Sequence, residues 1–483
     1  MHIAIALPYA VSIRDFLHSG SLAELVNAGG YRLTIYTLNP DLPEFDQVRS
    51  LGVTVKLFAG YSDSRAEHLV KTIYPLFFAD QFEYVRQMLT ERPWRRRASV
   101  ALVGLRKLLG AARSLRAWAT VLLWLHDRRR LPRELDEQFD LVVGTRSLIN
   151  SLDYGLIAEA TRRDIPVMTI AGSWDNFTTK GFFPFPTRKT VVWNLKMRTE
   201  LIDLFGVDPD KIAIAGYPRA EILRRHTEPT SAADYLQSIR IPGYRRFVLY
   251  SASYGELTRI SRLPAPLEYV AIRSVCEQLV RTLPEDTCVL IRLHPFSKED
   301  DQACFAGLNR CHVFVPGRQD KFVERVMNES DERHLAMQIA LSTCVVSMAS
   351  TVSIDALCLG RPILNIAFDP VPGLTANESI VRFYDFNHFA DLVRIARLPL
   401  AADVEQVLRF VQQCLTGTYQ SPVDLAAFRD WYLTPTGSRY AVVLRQIIDS
   451  VLNPARPASG TELAAPLPAT ARAAPTATTS TTP

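Results

Sequence analysis

Short apolar runs alternate with amphipathic stretches from Met1 to about Glu221. The runs Ile3–Leu7, Leu33–Tyr36, Val53–Phe58, Leu141–Val143, Val167–Ile170, Val191–Trp193 and Ile212–Ala215 read as buried strands. Between them, stretches such as Ser12–Asn27 and Asp153–Arg162 read as helices. Strand–helix alternation of this kind predicts a parallel sheet covered on both faces. Thr227 to Gly243 is polar and bounded by Pro and Gly, as a linker would be. A second series follows: Phe247–Tyr250, Val289–Leu293, Val313–Val315, Cys344–Ser347 and Pro362–Ile366, with helices between them. From His388 to Leu452 the pattern is helical only. The expected organisation is two Rossmann-like α/β domains, residues 1–225 and 240–385, then C-terminal helices over 386–453. The segment 454–483 holds six prolines and many Ala and Thr, so it is expected to be a disordered tail.

Composition narrows the class. The 483 residues are 48% hydrophobic and 22% charged, ordinary soluble usage. A net charge of +5 is too small to imply nucleic-acid binding. All seven cysteines lie between Cys276 and Cys414 with no CxxC pair, which fits a reducing compartment rather than a disulfide framework. No signal peptide is read at Met1–Pro8, and no apolar stretch approaches the ~20 residues of a membrane span. The expected location is cytoplasmic. One segment departs from the charge balance: Arg92 to Arg133 carries twelve Lys/Arg and one acid, Asp127, interleaved with Trp94, Trp118, Trp124 and several leucines. Such a helical insertion suits an anionic membrane surface. An ordinary domain helix with a solvated basic face accounts for it as well.

Neither GxGxxG after a strand nor GxxxxGK[ST] is present, and HExxH and GxSxG are also missing. Asp208-Pro-Asp210 spells a DxD between a helix and a strand, where Pro and Asp are ordinary turn residues, so no metal is expected there. Three strand ends of the second series carry phosphate-compatible groups. In Cys344–Pro362 a strand runs through Ser350-Thr351 into a helix, with Asp355 one turn in, placed for ribose hydroxyls. Val289-Leu-Ile-Arg-Leu-His-Pro-Phe296 delivers Arg292 and His294 to a strand's carboxyl end. Tyr250–Gly255 offers Ser251 and Ser253. In the first half, Ala171–Gly181 follows a strand with Trp174 to stack, Asp175 as a general base and Lys180 to neutralise an anion. Arg14, Asp15 and His18 could face the same cleft.

The order Ser173-Trp-Asp-Asn, Thr-Lys-Gly181, Val192-Trp-Asn194, Gly216-Tyr-Pro218, Arg292-x-His-Pro295, Ser350-Thr-x-x-Ile-Asp-Ala356 and Gly360-Arg-Pro362 resembles GT-B glycosyltransferases. More narrowly it is similar to the bacterial surface-polysaccharide branch, allied to CDP-glycerol glycerophosphotransferases and His-Pro-motif CMP-sugar transferases. The resemblance spans about Met1 to Asn453. It implies two domains facing a cleft, the donor nucleotide on the C-terminal one, the acceptor on the N-terminal one, and final helices crossing back. It implies that His294, Ser350, Thr351 and Asp355 hold the nucleotide. Where the glycerophosphotransferases carry a paired Ser-Ser, this chain has Ser350-Thr351, which leaves UDP-, GDP- or CMP-linked sugars open as donors. The expected reaction is metal-independent and uses no cofactor. A sugar passes from a nucleotide-activated donor to a saccharide or polyprenyl-linked acceptor, with Arg292 and His294 stabilising the leaving group and Asp175 first, Asp15 second, as base. A CDP-glycerol-type glycerophosphotransferase, a nucleotide-sugar 2-epimerase of the same fold, and a degenerate GT-B scaffold that binds without turnover are the alternatives.

Overall fold

The computed structural model describes residues 1–58, 63–90, 93–127, 135–146, 151–182, 185–317, 327–434 and 436–454. The expected tail beyond Pro454, the Arg128–Arg130 run and Arg133 lie outside them. Two parallel sheets form the frame. The first has seven strands among the described residues: β1 (His2–Ala6), β2 (Arg32–Thr37), β3 (Thr54–Leu57), β4 (Leu141–Gly144), β5 (Val167–Ile170), β6 (Lys189–Val192) and β7 (Ile212–Ile214). Their order is β3-β2-β1-β4-β5-β6-β7. The second holds β8 (Arg246–Ser251), β9 (Thr287–Arg292), β10 (Cys311–Phe314), β11 (Val345–Ser347), β12 (Ile363–Ile366) and β13 (Leu400–Ala401), in the order β10-β9-β8-β11-β12-β13. Every pairing is parallel, and the central strands are buried along their length, as sheets covered on both faces require. In the first sheet Ile3 and Ile5 face Phe16, Leu22 and Leu25, while Ala4 and Ala6 face the opposite core.

Three expectations need correction. The stretch read as one helix over Ser12–Asn27 is two, Ala10–Leu17 and Ser21–Ala28. Gly20 at φ +82° breaks it, and the Arg225 guanidinium holds the break by donating to the carbonyls of His18 and Ser19. A Cβ on Gly20 would lie 3.1 Å from that guanidinium. The polar stretch Thr227–Gly243 contains a helix, Ala232–Ser238, capped by Ser231. Past His388 the chain is not helical only, because β13 adds a sixth strand beside β12.

The return crossing runs through residues 428–440. There Tyr432 O accepts from Asn194 Nδ2 and Thr434 Oγ1 accepts from the Leu195 amide. The last helix, Tyr440–Leu452, then buries Tyr440, Val443, Leu444 and Ile448 against the first sheet. Arg445 fastens it to Glu24. The two sheets are therefore tied by a chain that leaves the second and finishes on the first. Among the described residues no helix is long and apolar enough to cross a membrane.

Candidate active site between the two sheets

Segments that follow the strands of both sheets meet in a polar cluster around Arg219. From the first sheet come Arg14, Asp15 and His18 after β1 and Tyr217 and Arg219 after β7, while Trp174 and Asp175 after β5 lie in a separate group with Lys180 and His388 that reaches the second sheet through Thr351. From the second come His294 after β9, Glu332 on the helix Glu329–Leu341, and Thr351 and Asp355 after β11.

His294 sits as the strand-end reading expects. Pro295 ends the extended run, and the Phe296 amide donates to His294 Nδ1 at 3.1 Å. With Nδ1 accepting, the neutral ring carries its proton on Nε2, free to donate. Burial, then Arg219 and Arg292, pull the imidazole down to about 4, so it is uncharged near neutral pH. Tyr254 and Phe296 pack against the ring at 5.5 and 5.1 Å between centroids. An oriented neutral N–H donor of this kind suits a phosphate oxygen.

Asp355 is wholly buried, and its role differs from the expected one. Its Oδ1 accepts from the Tyr217 hydroxyl at 2.7 Å, and its Oδ2 lies 3.4 Å from Arg219 Nε. It therefore spans the two sheets rather than standing open for ribose. Arg219 Nε also lies 4.0 Å from Glu332 Oε2. Burial raises the Asp355 carboxyl above its usual range, with Arg219 and the Tyr217 hydroxyl opposing. For Glu332 the cations prevail: burial pushes it up, but Arg219, Arg14, His18 and Arg292 together hold it below the ordinary value.

Several expected phosphate partners are otherwise engaged. Arg292 is buried, donates to Gln338 Oε1 at 2.9 Å and to the Asp331 carbonyl at 3.4 Å, and lies over the Phe314 ring. Burial pulls it down to about 10. It binds a helix to the sheet instead of gripping a phosphate. Ser253 gives its hydroxyl and its amide to the buried Glu268. Ser251 is buried in β8, where its carbonyl accepts from Ser347 Oγ. The helix Val352–Cys358 is only seven residues long, and Thr351 makes no side-chain cap. Ser350 Oγ accepts instead from the Val352 amide at 3.4 Å, and Thr351 Oγ1 accepts from Trp174 Nε1 at 3.3 Å, across the cleft.

The two carboxylates expected as base sit in opposite environments. Asp175 accepts from the hydroxyls of Ser173 and Thr179 and faces Lys180 and His388. Burial alone would raise it. Lys180, His388 and the two hydroxyls outweigh that and hold it down at about 2, too weak a base for proton abstraction. Trp174 is packed edge-on among His388, Phe389 and Tyr432, so it is core and not a stacking platform. Asp15 has the opposite environment. Burial raises it despite Arg14, which pairs with it at 2.6 Å. It lines a small cavity with Ser12, Thr145, Gly172 and Trp193.

Sequence reasoning missed Tyr217, Arg219 and Glu332. Glu332 had one signal: it falls on the same helical face as Leu335, Ala336 and Ile339, where a carboxylate is out of place. Asp208-Pro-Asp210 is a turn, with Asp208 Oδ1 accepting from the Asp210 amide. Among the described residues no group of three or more His, Cys, Asp or Glu is arranged to hold a metal ion.

Residues 186–372 match the family described as CDP-glycerol:poly(glycerophosphate) glycerophosphotransferase. The matched range carries Tyr217, Arg219, His294, Glu332 and Asp355. No curated protein matches the chain. Among solved structures, a UDP-N-acetylglucosamine 2-epimerase aligns at a TM-score of 0.51 and 12% identity, over 96% of this chain and 99% of the other. The Methanocaldococcus jannaschii UDP-GlcNAc 2-epimerase, solved with UDP-GlcNAc and UDP, aligns at 0.50 and 12%, over 93% and 99%. The S. aureus MnaA–UDP co-structure aligns at 0.50 and 11%, over 93% and 95%. At such identities the likeness is one of fold. Together the two parallel sheets, the returning helix and these likenesses show a GT-B-like fold, with a segment, residues 186–372, similar to the glycerophosphotransferase family.

Proposed function

We propose that the chain is a transferase of cell-surface polysaccharide biosynthesis that moves a sugar from a nucleotide-activated donor to a saccharide or lipid-linked acceptor. The observation that carries this reading is Arg219, whose charge acts on Asp15 from the first sheet and on His294 from the second, between the carboxyl ends of two parallel sheets, where open α/β folds bind ligands. The uncharged His294 donates Nε2–H to the leaving phosphate, whose growing charge is met without a metal ion. Asp15, with its raised proton affinity, takes the acceptor's proton. Closure of the sheets around both substrates keeps water from the donor.

The family match supports a second reading, transfer of glycerol phosphate from CDP-glycerol. One experiment separates the outcomes: incubation with UDP-, GDP- and CMP-sugars and with CDP-glycerol, plus glycan acceptors, followed by mass spectrometry. A sugar or a glycerol phosphate added to acceptor decides between the transferase readings, and equal turnover in EDTA and in Mg²⁺ supports the metal-free route. Conversion of UDP-GlcNAc to its 2-epimer without acceptor would overturn both.

The basic segment fits a membrane-bound acceptor. The helix Pro93–Leu109 leaves Trp94 64%, Val100 71% and Leu108 81% exposed, with Arg96, Arg97 and Lys107 exposed beside them. Its inner side is anchored by Arg106, paired with Asp80 at 2.7 Å. An apolar outer face rimmed by cations lies in the plane of an anionic membrane, on the cytoplasmic side, without spanning it.

A further inference from the structure

Four buried polar atoms at the meeting of the sheets have no hydrogen-bond partner: both carboxylate oxygens of Glu332, Oδ2 of Asp355 and Nε of Arg219. Glu332 and Asp355 are completely buried. The nearest approaches among them, 3.4 Å from Arg219 Nε to Asp355 and 4.0 Å to Glu332, are ion pairs without hydrogen bonds. His18 Nδ1, close enough to Glu332 to influence its charge, is unpartnered as well. Buried carboxylate oxygens are costly unless something donates to them. Glu332 stands on a well-capped helix whose other buried polar side chain, Gln338, accepts from Arg292, whereas Glu332 receives no hydrogen bond.

The chemistry of the free atoms limits what can fill the cluster. Three carboxylate oxygens, two on Glu332 and one on Asp355, want hydrogen-bond donors, and a phosphate dianion supplies none. A neutral group rich in hydroxyls complements every free atom: its O–H groups donate to the carboxylates, and a hydroxyl oxygen accepts from Arg219 Nε. We infer that Glu332, with Asp355 Oδ2 and Arg219 Nε, forms the subsite for the polyhydroxylated group being transferred, next to the phosphate held by His294. This rests on the transferase reading above and adds to it the residues that tell an activated donor from the bare nucleotide.

The test compares binding of CDP with CDP-glycerol and of UDP with UDP-N-acetylglucosamine by calorimetry. The wild-type chain should prefer at least one activated donor over its bare nucleotide by about tenfold. Glu332→Ala should bring that ratio close to one while leaving affinity for the bare nucleotide within about twofold, and Glu332→Gln should fall between. If the Ala variant does not fold, the Gln variant carries the same comparison. An unchanged ratio in the variants, or equal losses for bare nucleotide and donor, would overturn the subsite and leave the transferase reading standing. If neither activated donor binds the wild type more tightly than its bare nucleotide, the subsite is overturned as well.

Discussion

The Tyr217 hydroxyl donates to Asp355 Oδ1 at 2.7 Å, joining the segment after β7 to the helix after β11. Both residues are buried, and Trp193 packs on the Tyr217 ring at 5.0 Å. It ties the two halves directly, as the Trp174 indole does by donating to Thr351. Tyr217→Phe leaves that carboxylate oxygen without its donor, so stability should fall by about 1–3 kcal/mol. Thermal and denaturant unfolding measure it, and an unchanged midpoint would show that the tie contributes nothing.

Asp15 and Asp175 differ in a way that pH reveals. The raised Asp15 must be deprotonated to act as base, so the acid limb of kcat/KM should lie above the ordinary aspartate value of 3.8. Asp15→Asn should reduce turnover by about 10²–10⁴-fold and remove that limb. A limb that persists in the variant belongs to another group.

Asp175 acts on stability instead. Its folded value, about 2, lies below the model-compound value of 3.8, so its contribution is present above pH ~4 and is lost as pH falls towards 2. Asp175→Asn should cost about 2 kcal/mol at pH 7, a difference that fades on acidification over that window. Denaturant titrations at pH 7, 4 and 3 follow it. A cost independent of pH would locate the effect in packing.

Much of the frame was legible because strands buried on both faces read as continuous apolar runs, as Ile3–Leu7 and Val289–Leu293 do. β13 was not, since two residues in Leu398-Pro-Leu-Ala carry no periodic signal. Gly20 hid within an amphipathic pattern whose apolar spacing continues across the break. In the site, His294, Asp15 and Asp355 could be picked out because they follow strand ends. The role of Asp355 could not, because its partners Tyr217 and Arg219 arrive from the other sheet. Asp175 stood out as a carboxylate in a polar loop, yet its basicity is decided by Lys180 nearby and by His388 from far along the chain.

The exposed face of Pro93–Leu109 gives a separate expectation. Vesicles containing anionic lipid should sediment with the protein, neutral vesicles should not, and salt should weaken the binding as the screening length shortens from ~8 Å. Replacing Arg96, Arg97 and Lys107 with Gln should abolish it. Equal binding to neutral and anionic vesicles would refute the electrostatic account.

The central claim is that the cleft between the sheets holds an activated nucleotide through His294. Calorimetric titration of wild type and His294→Ala with CDP, UDP, CMP and GDP tests it most directly. At least one nucleotide should bind the wild type, with the diphosphate tighter than the monophosphate of the same base. In the variant that affinity should fall at least tenfold with the unfolding midpoint little changed. Binding of equal strength to both proteins, or none to the wild type, would contradict it.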